Sequence, residues 1–146
     1  RNPKMQERLP ADPSLIPEAI EELLRRYSVV FPARRVAQDV TFHGAELRTD
    51  ERCTLYLGLA NLDPDAFDDP DTVDIARDNK AHLTFVVGPH RCIGSHLARM
   101  EMITLFEEWL KRIPNVRIPA EEKVGYRQGI VLAVTRLPVA GQVQAT

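Results

Sequence analysis

Apolar positions recur along this chain in distinct rhythms, and each rhythm predicts a different element. In PEAIEELLRRYS, residues 17–28, a proline suited to a first helical turn precedes Glu18, Glu21 and Glu22, and Arg25 and Arg26 close the segment. Both ends complement a helix dipole, so a helix is expected from near Pro17. Beyond Gly94, Leu97, Met100, Ile103, Phe106, Leu110 and Ile113 follow one another at spacings of three or four, and Met102, Leu105 and Trp109 widen the stripe. That breadth predicts a long buried helix, ended by Pro114. Residues 3–9 read as the tail of a further helix, closed by Pro10 and the turn-prone ADPS. Between Arg34 and Leu59 the pattern changes to short alternating pieces: RVAQDVTFH, a turn at Gly44-Ala45, ELRT, and ERCTLYLGL, which suits strand or helix. A small antiparallel sheet is the expected product. Residues 60–82, rich in Asp, Pro and Asn, show no period and predict a long meander of the kind that is often functional. GIVLAVTRLPV, residues 129–139, predicts a strand or hairpin before a polar terminus.

Composition narrows the function classes. The 146 residues, 44% of them hydrophobic and 27% charged, suit a soluble globular domain with one modest core. Nineteen basic residues against 21 acidic ones leave a formal charge of -2, which provides no global field for nucleic acid or an anionic membrane. No apolar run approaches a membrane span, and residues 1–12 lack the pattern of a secretory signal. Cys53 and Cys92, far apart in sequence, fit a reducing cytoplasm better than a disulfide framework. The chain opens at Arg1 without a start methionine, and RNPKMQERL reads as helix in mid-course, so a truncated protein is expected.

The segment HLTFVVGPHRCIGSHLAR, residues 82–99, is the richest in chemistry, with Cys92 between glycines just before the long helix. A thiolate at a helix N-terminus is stabilised by the dipole and by unpaired backbone N–H groups that can hydrogen-bond the sulfur. Gly88 permits a positive φ, and Gly94 leaves room for a flat ligand at the start of the helix. Cys92 alone also suits a small apolar helix-start residue. A zinc site from Cys92 with His82, His90 and His96 has suitable ligand types but poor spacing. A third reading is a heme thiolate.

These residues resemble the cytochrome P450 family, whose ligand loop has the form F-x-x-G-x-x-x-C-x-G, matched here by Phe85, Gly88, Cys92 and Gly94. His90 fills the basic position two residues before the cysteine, and Leu97, Ala98 and Arg99 fill the run that follows. Val86 departs from the pattern, since glycine usually follows the phenylalanine and valine resists glycine's dihedrals. A second family motif, E-x-x-R, appears as Glu22 and Arg25. Alone, such a pair is ordinarily a solvated ion pair contributing roughly 0.2–0.5 kcal/mol. Its place upstream of the cysteine loop gives it weight, and the family's third basic residue, from the meander, is best matched by Arg77. LANLDP and GIVLAVTRLPV also resemble the family, closest to its soluble bacterial, camphor-hydroxylating members.

The resemblance implies a mainly α fold with small β-sheets: an E-x-x-R helix, a meander, a cysteine-ligand loop, a long buried helix and a C-terminal β-hairpin. Residues 1–146 would be the C-terminal heme-binding portion of one such domain, with the N-terminal and distal parts missing. Cys92 is then the catalytic thiolate and metal ligand of heme b (iron protoporphyrin IX). His90 and Arg34 match residues that bind the propionates, Phe85 shields the sulfur, and Glu22, Arg25 and Arg77 form a structural network under the heme. For Arg34 a plain surface role is the alternative. Substrate contacts fall on Val29, Val30, Ile130 and Val131, which suit a small apolar substrate such as a terpenoid, although aliphatic residues of this kind often belong to a core. The implied activity is a monooxygenase using O2, with electrons from a partner protein such as an iron–sulfur ferredoxin docked near Arg91. No nucleic acid or membrane partner is implied, and the location is cytoplasmic. The fragment alone is expected to be marginally stable and inactive.

Overall fold

The computed structural model describes residues 3–143. Helix α1 (Pro3–Ala11) leads through a 3-10 turn, Pro13–Leu15, into α2 (Ile16–Arg26). Pro10 lies within α1 instead of closing it. A proline near a helix end forfeits little, and Asp12 N–H still donates to the carbonyl of Arg8 at 2.9 Å. Asp12 then starts the 3-10 turn by accepting from Ser14 N–H at 3.2 Å. Pro17 sits in the first turn of α2, with Glu18 behind it and Arg25 and Arg26 in the last turn.

The alternating region forms separate two-stranded antiparallel sheets. Strand β1 (Ala33–Arg35) pairs with β4 (Arg52–Thr54), enclosing a hairpin of β2 (Val40–Phe42) and β3 (Ala45–Leu47). The hairpin turn is His43-Gly44, one residue earlier than the pattern suggests. Both residues have positive φ, 48° and 80°, the backbone of the tight hairpin turn whose twist matches the strands. ERCTLYLGL divides between β4 and a short helix α3 (Leu57–Ala60). The chain then meanders through turns to a 3-10 turn at Gly88–His90, and α4 (Ser95–Arg112) follows. The C-terminal hairpin joins β5 (Gly125–Arg127) to β6 (Ala133–Arg136).

The core lies where α2 meets α1 and α4. Leu9, Ile16, Ala19, Ile20 and Ile75 are buried there, with Met102, Ile103, Phe106 and Leu110 of α4 packed against them. Within this chain helix α4 is covered on one face only. Leu97, Met100, Leu105 and Trp109 are exposed, because its apolar stripe is wider than the face that α1 and α2 cover. The whole surface measures 10629 Å². A compact protein of this mass would expose roughly 7,500 Å², so broad faces here lack the cover usual in a closed domain. No described helix is long and apolar enough to cross a membrane.

Candidate functional site

Cys92 is a free thiol, exposed at the end of a loop that closes on itself. Its backbone N–H donates to the carbonyl of Phe85 at 2.9 Å, and its own carbonyl accepts from Ser95 N–H, at the start of α4, at 3.2 Å. Val86 N–H donates to Leu83 O at 2.8 Å and Arg91 N–H to Gly88 O at 3.0 Å, so successive turns carry the chain to the sulfur. Gly88 has φ of 71° with nothing within 4 Å of a built Cβ, which makes its requirement purely one of backbone conformation. Gly94 has an ordinary φ of -81° and caps α4. A Cβ there would stand 3.8 Å from the sulfur, so its absence keeps one flank of Sγ clear. Val86 adopts φ of 58°, retaining the turn that glycine would make freely at the cost of strain in a β-branched residue.

Glu22, Arg25 and Arg77 come together. Glu22 and Arg25 are wholly buried, at 0% exposure, and joined by two bonds, Nε to Oε2 at 2.9 Å and Nη2 to Oε1 at 2.8 Å. Arg77 Nε reaches Glu22 Oε1 at 3.3 Å, and the same oxygen accepts from Asp74 N–H at 2.9 Å. The remaining guanidinium donors go to main-chain carbonyls of the meander. Arg25 serves Asn61, Pro70 and Thr72, while Arg77 serves Asp68, Asp69 and Thr72. The Arg25 guanidinium also stands 5.1 Å from the centre of the Phe67 ring. Burial would raise the Glu22 pKa, but hydrogen bonds from Arg25, Asp74 N–H and Arg77 outweigh it and hold the carboxyl below its usual value. The pair is thus far from a solvated surface ion pair.

Val29 and Val30 meet Ile130 and Val131 across an antiparallel bridge. Val30 pairs with Val131, flanked by Phe31 N–H to Ile130 O at 2.7 Å and Leu132 N–H to Val29 O at 2.8 Å. Val29, Ile130 and Val131 are exposed in this chain. Arg34, half-buried on β1 opposite Cys53, donates Nη1 to Ala33 O, while His90 lies exposed in its 3-10 turn. The zinc set does not assemble. Among the described residues no three His, Cys, Asp or Glu side chains are placed to hold a metal, and the His82 ring is engaged by Glu21 and Thr84.

Some structural residues escape a linear reading. Asn61 is fully buried, accepting from Leu83 N–H at 2.7 Å and donating to Thr84 Oγ1 at 2.9 Å, and thereby ties the meander to the cysteine segment. Thr84 in turn donates to Leu24 O of α2 at 2.7 Å. Only its place within LANLDP singles Asn61 out in sequence.

The family described as "Cytochrome P450" matches residues 4–124. A probable cytochrome P450 127A1 of Sinorhizobium fredii is 44% identical over 118 residues, 81% of this chain and 28% of the relative. A steroid C26-monooxygenase of Mycobacterium tuberculosis is 39% identical over 125 residues, 85% of this chain and 34% of the relative. The crystal structure of CYP109E1 from Bacillus megaterium in complex with testosterone superposes with a TM-score of 0.85 at 31% identity, covering 94% of this chain and 39% of that one. This chain belongs to the cytochrome P450 family, and it spans 28 to 39% of the length of these relatives. The observed helices and small antiparallel sheets are those of the C-terminal part of the P450 fold.

Heme b is the prosthetic group of this family, and the residues present fit it. The donor is a single soft sulfur on a preformed loop, one flank of that sulfur is left open at Gly94, and the adjoining Ile93 side chain is fully exposed.

Proposed function

We propose that this chain supplies the proximal, thiolate-bearing wall of a heme-thiolate monooxygenase that inserts one oxygen atom from O2 into a small apolar substrate. The observation that carries the reading is the exposed Cys92 sulfur on a loop fixed by its own backbone hydrogen bonds. When bound, heme supplies the iron at which oxygen is reduced, and the cysteine thiolate supplies the electron density that favours O–O cleavage. Cys92 is the ligand. His90 and Arg34 hold the propionates through charge-assisted bonds, and Phe85 excludes water from the sulfur. Glu22, Arg25 and Arg77 hold the meander in place.

The aliphatic edge of exposed Val29, Ile130 and Val131 and half-buried Val30 supports an apolar substrate, as do relatives named for a steroid reaction or crystallised with testosterone. A terpenoid or steroid skeleton matches that surface. Electrons come from a partner protein, a ferredoxin in this reading, for which the exposed Arg91 beside the ligand loop offers a cationic contact. Residues 1–146 are one portion of a single domain. The uncovered faces of α4 support that assignment and an inactive isolated fragment. A cytoplasmic location fits the free cysteines.

The test is the ferrous carbon monoxide spectrum of the intact heme-loaded protein. A strongly red-shifted Soret band is expected, and Cys92→Ser is expected to abolish it. A parent spectrum typical of imidazole ligation, or an unchanged spectrum in the variant, refutes the assignment.

A further inference from the structure

Glu21 stands next to Glu22 on α2 but serves different partners. Its carboxylate accepts from Arg99 of α4 through Nε at 2.5 Å and Nη2 at 3.0 Å, a bidentate pair across 78 residues of sequence. His82 Nε2 lies 3.3 Å from Glu21 Oε2, and the His82 side chain is only 3% exposed. Thr84 N–H donates to Nδ1 of the same ring at 3.3 Å. An Nδ1 that accepts carries no hydrogen, so Nε2 carries it and donates to Glu21. The neutral ring therefore satisfies both neighbours.

Phe85 sits against this cluster. The Arg99 guanidinium carbon is 4.7 Å from the centre of the Phe85 ring, and the His82 ring centre is 6.0 Å away. Phe85 is only half-buried, and the partly desolvated Arg99 cation over its ring adds a cation–π contact to the packing. Arg99 in turn is fixed at both ends, by Glu21 and by the carbonyl of Ser95 at 3.3 Å. The Phe85 carbonyl accepts the Cys92 N–H. A connected path thus runs from α2 and α4 through the Phe85 ring to the main chain of the sulfur.

We propose that Glu21, Arg99 and His82 are positioning residues that clamp Phe85 and, through it, set the Cys92 thiolate. The proposal rests on the reading of Cys92 as the heme ligand. Without the Glu21 carboxylate, Arg99 is free to turn to solvent and Phe85 to change rotamer. The sulfur then loses the fixed ring assigned above to shielding it, while the Phe85 carbonyl that accepts the Cys92 N–H sits on a residue no longer held by its side chain. A clamp of this kind alters the electronic setting of the sulfur, where a merely structural ion pair alters stability alone.

The experiment uses the intact heme-loaded protein and reads the heme midpoint potential and the ferrous carbon monoxide band. Glu21→Gln and Arg99→Lys are each expected to shift the midpoint and to convert part of the red-shifted band to a shorter-wavelength form. Glu21→Asp is expected to restore much of the parent behaviour. Glu108→Gln, which breaks an exposed pair with Arg112 on the same helix, is expected to change neither. In a Phe85→Leu background, Glu21→Gln is expected to add no further shift, since the ring through which it acts is gone. If Glu21→Gln fails to fold, His82→Gln, whose amide can still donate to Glu21, takes its place with a smaller shift expected. A parent without the red-shifted band overturns the heme-thiolate reading itself. A parent with it, and clamp variants with unchanged midpoint and band, overturns the clamp alone, as does an undiminished Glu21→Gln shift in the Phe85→Leu background.

Discussion

Val86 offers a direct way to separate backbone strain from side-chain packing in the ligand loop. Its φ of 58° places a β-branched residue in the left-handed region, where a Cβ costs roughly 1–2 kcal/mol. Val86→Ala removes the outer methyls and their partial burial but keeps that Cβ; Val86→Gly removes the Cβ too. In ordinary extended or helical backbone, glycine is less stable than alanine by roughly 0.5–1 kcal/mol, because it loses more freedom on folding. Taking the midpoints of those two ranges, subtracting that entropy from the strain relieved leaves glycine ahead at residue 86 by about 0.75 kcal/mol. For a chain of this size the difference corresponds to about 1.5–3 °C in Tm. Thermal melts of both variants, monitored by far-ultraviolet circular dichroism under identical heme loading, measure it. If Val86→Ala melts at or above Val86→Gly, residue 86 carries no strain and the account of the turn is wrong.

The buried pair and the titrating groups give further predictions. Glu22→Ala leaves the Arg25 charge fully buried without its carboxylate and is expected to cost about 3–5 kcal/mol in a urea titration, against less than about 1 kcal/mol for Arg112→Ala at the exposed pair. Equal losses would contradict the burial argument. Stability should also fall on acidification in two stages. Burial, with smaller contributions from Arg99 and Arg25, holds His82 below its ordinary value although Glu21 opposes this, so the unfolded chain takes up the proton first. The His82 contribution is therefore complete above pH about 6.5 and is lost as pH falls from there through the folded value. For Glu21, burial raises the pKa but Arg99 and His82 more than offset it, and the Glu21 and Glu22 contributions are lost only below pH about 4.3. His82→Gln should flatten the first stage and spare the second, as read from urea midpoints between pH 7.5 and 3.5; a first stage that survives the substitution would assign it elsewhere.

How legible these features are in sequence depends on whether they rest on local backbone demands. In the cysteine loop the backbone demand at Gly88 is local and so legible, whereas the role of Cys92 is read from the family resemblance. The E-x-x-R pair is readable through the family resemblance and its place upstream of the cysteine loop, since a pair three residues apart on one helix is by itself ordinary. Arg99 stands out within the Leu97-Ala98-Arg99 run, but nothing in the sequence pairs it with Glu21, for that pairing depends on how α2 and α4 pack across a separation of 78 residues. The periodicity of α4 is real, yet a stripe of apolar residues says nothing about what covers it. At Val86 local preference points away from the conformation adopted, because the turn is held from outside by hydrogen bonds at Leu83, Phe85 and Gly88.

The arginines of the buried network grip the meander by its carbonyl oxygens, at Asn61, Asp68, Asp69, Pro70 and Thr72. Carbonyl oxygens are common to every amino acid. The path of this segment can therefore be preserved while its side chains are exchanged, which frees its outward surface to diverge without disturbing the ground on which the sulfur loop stands.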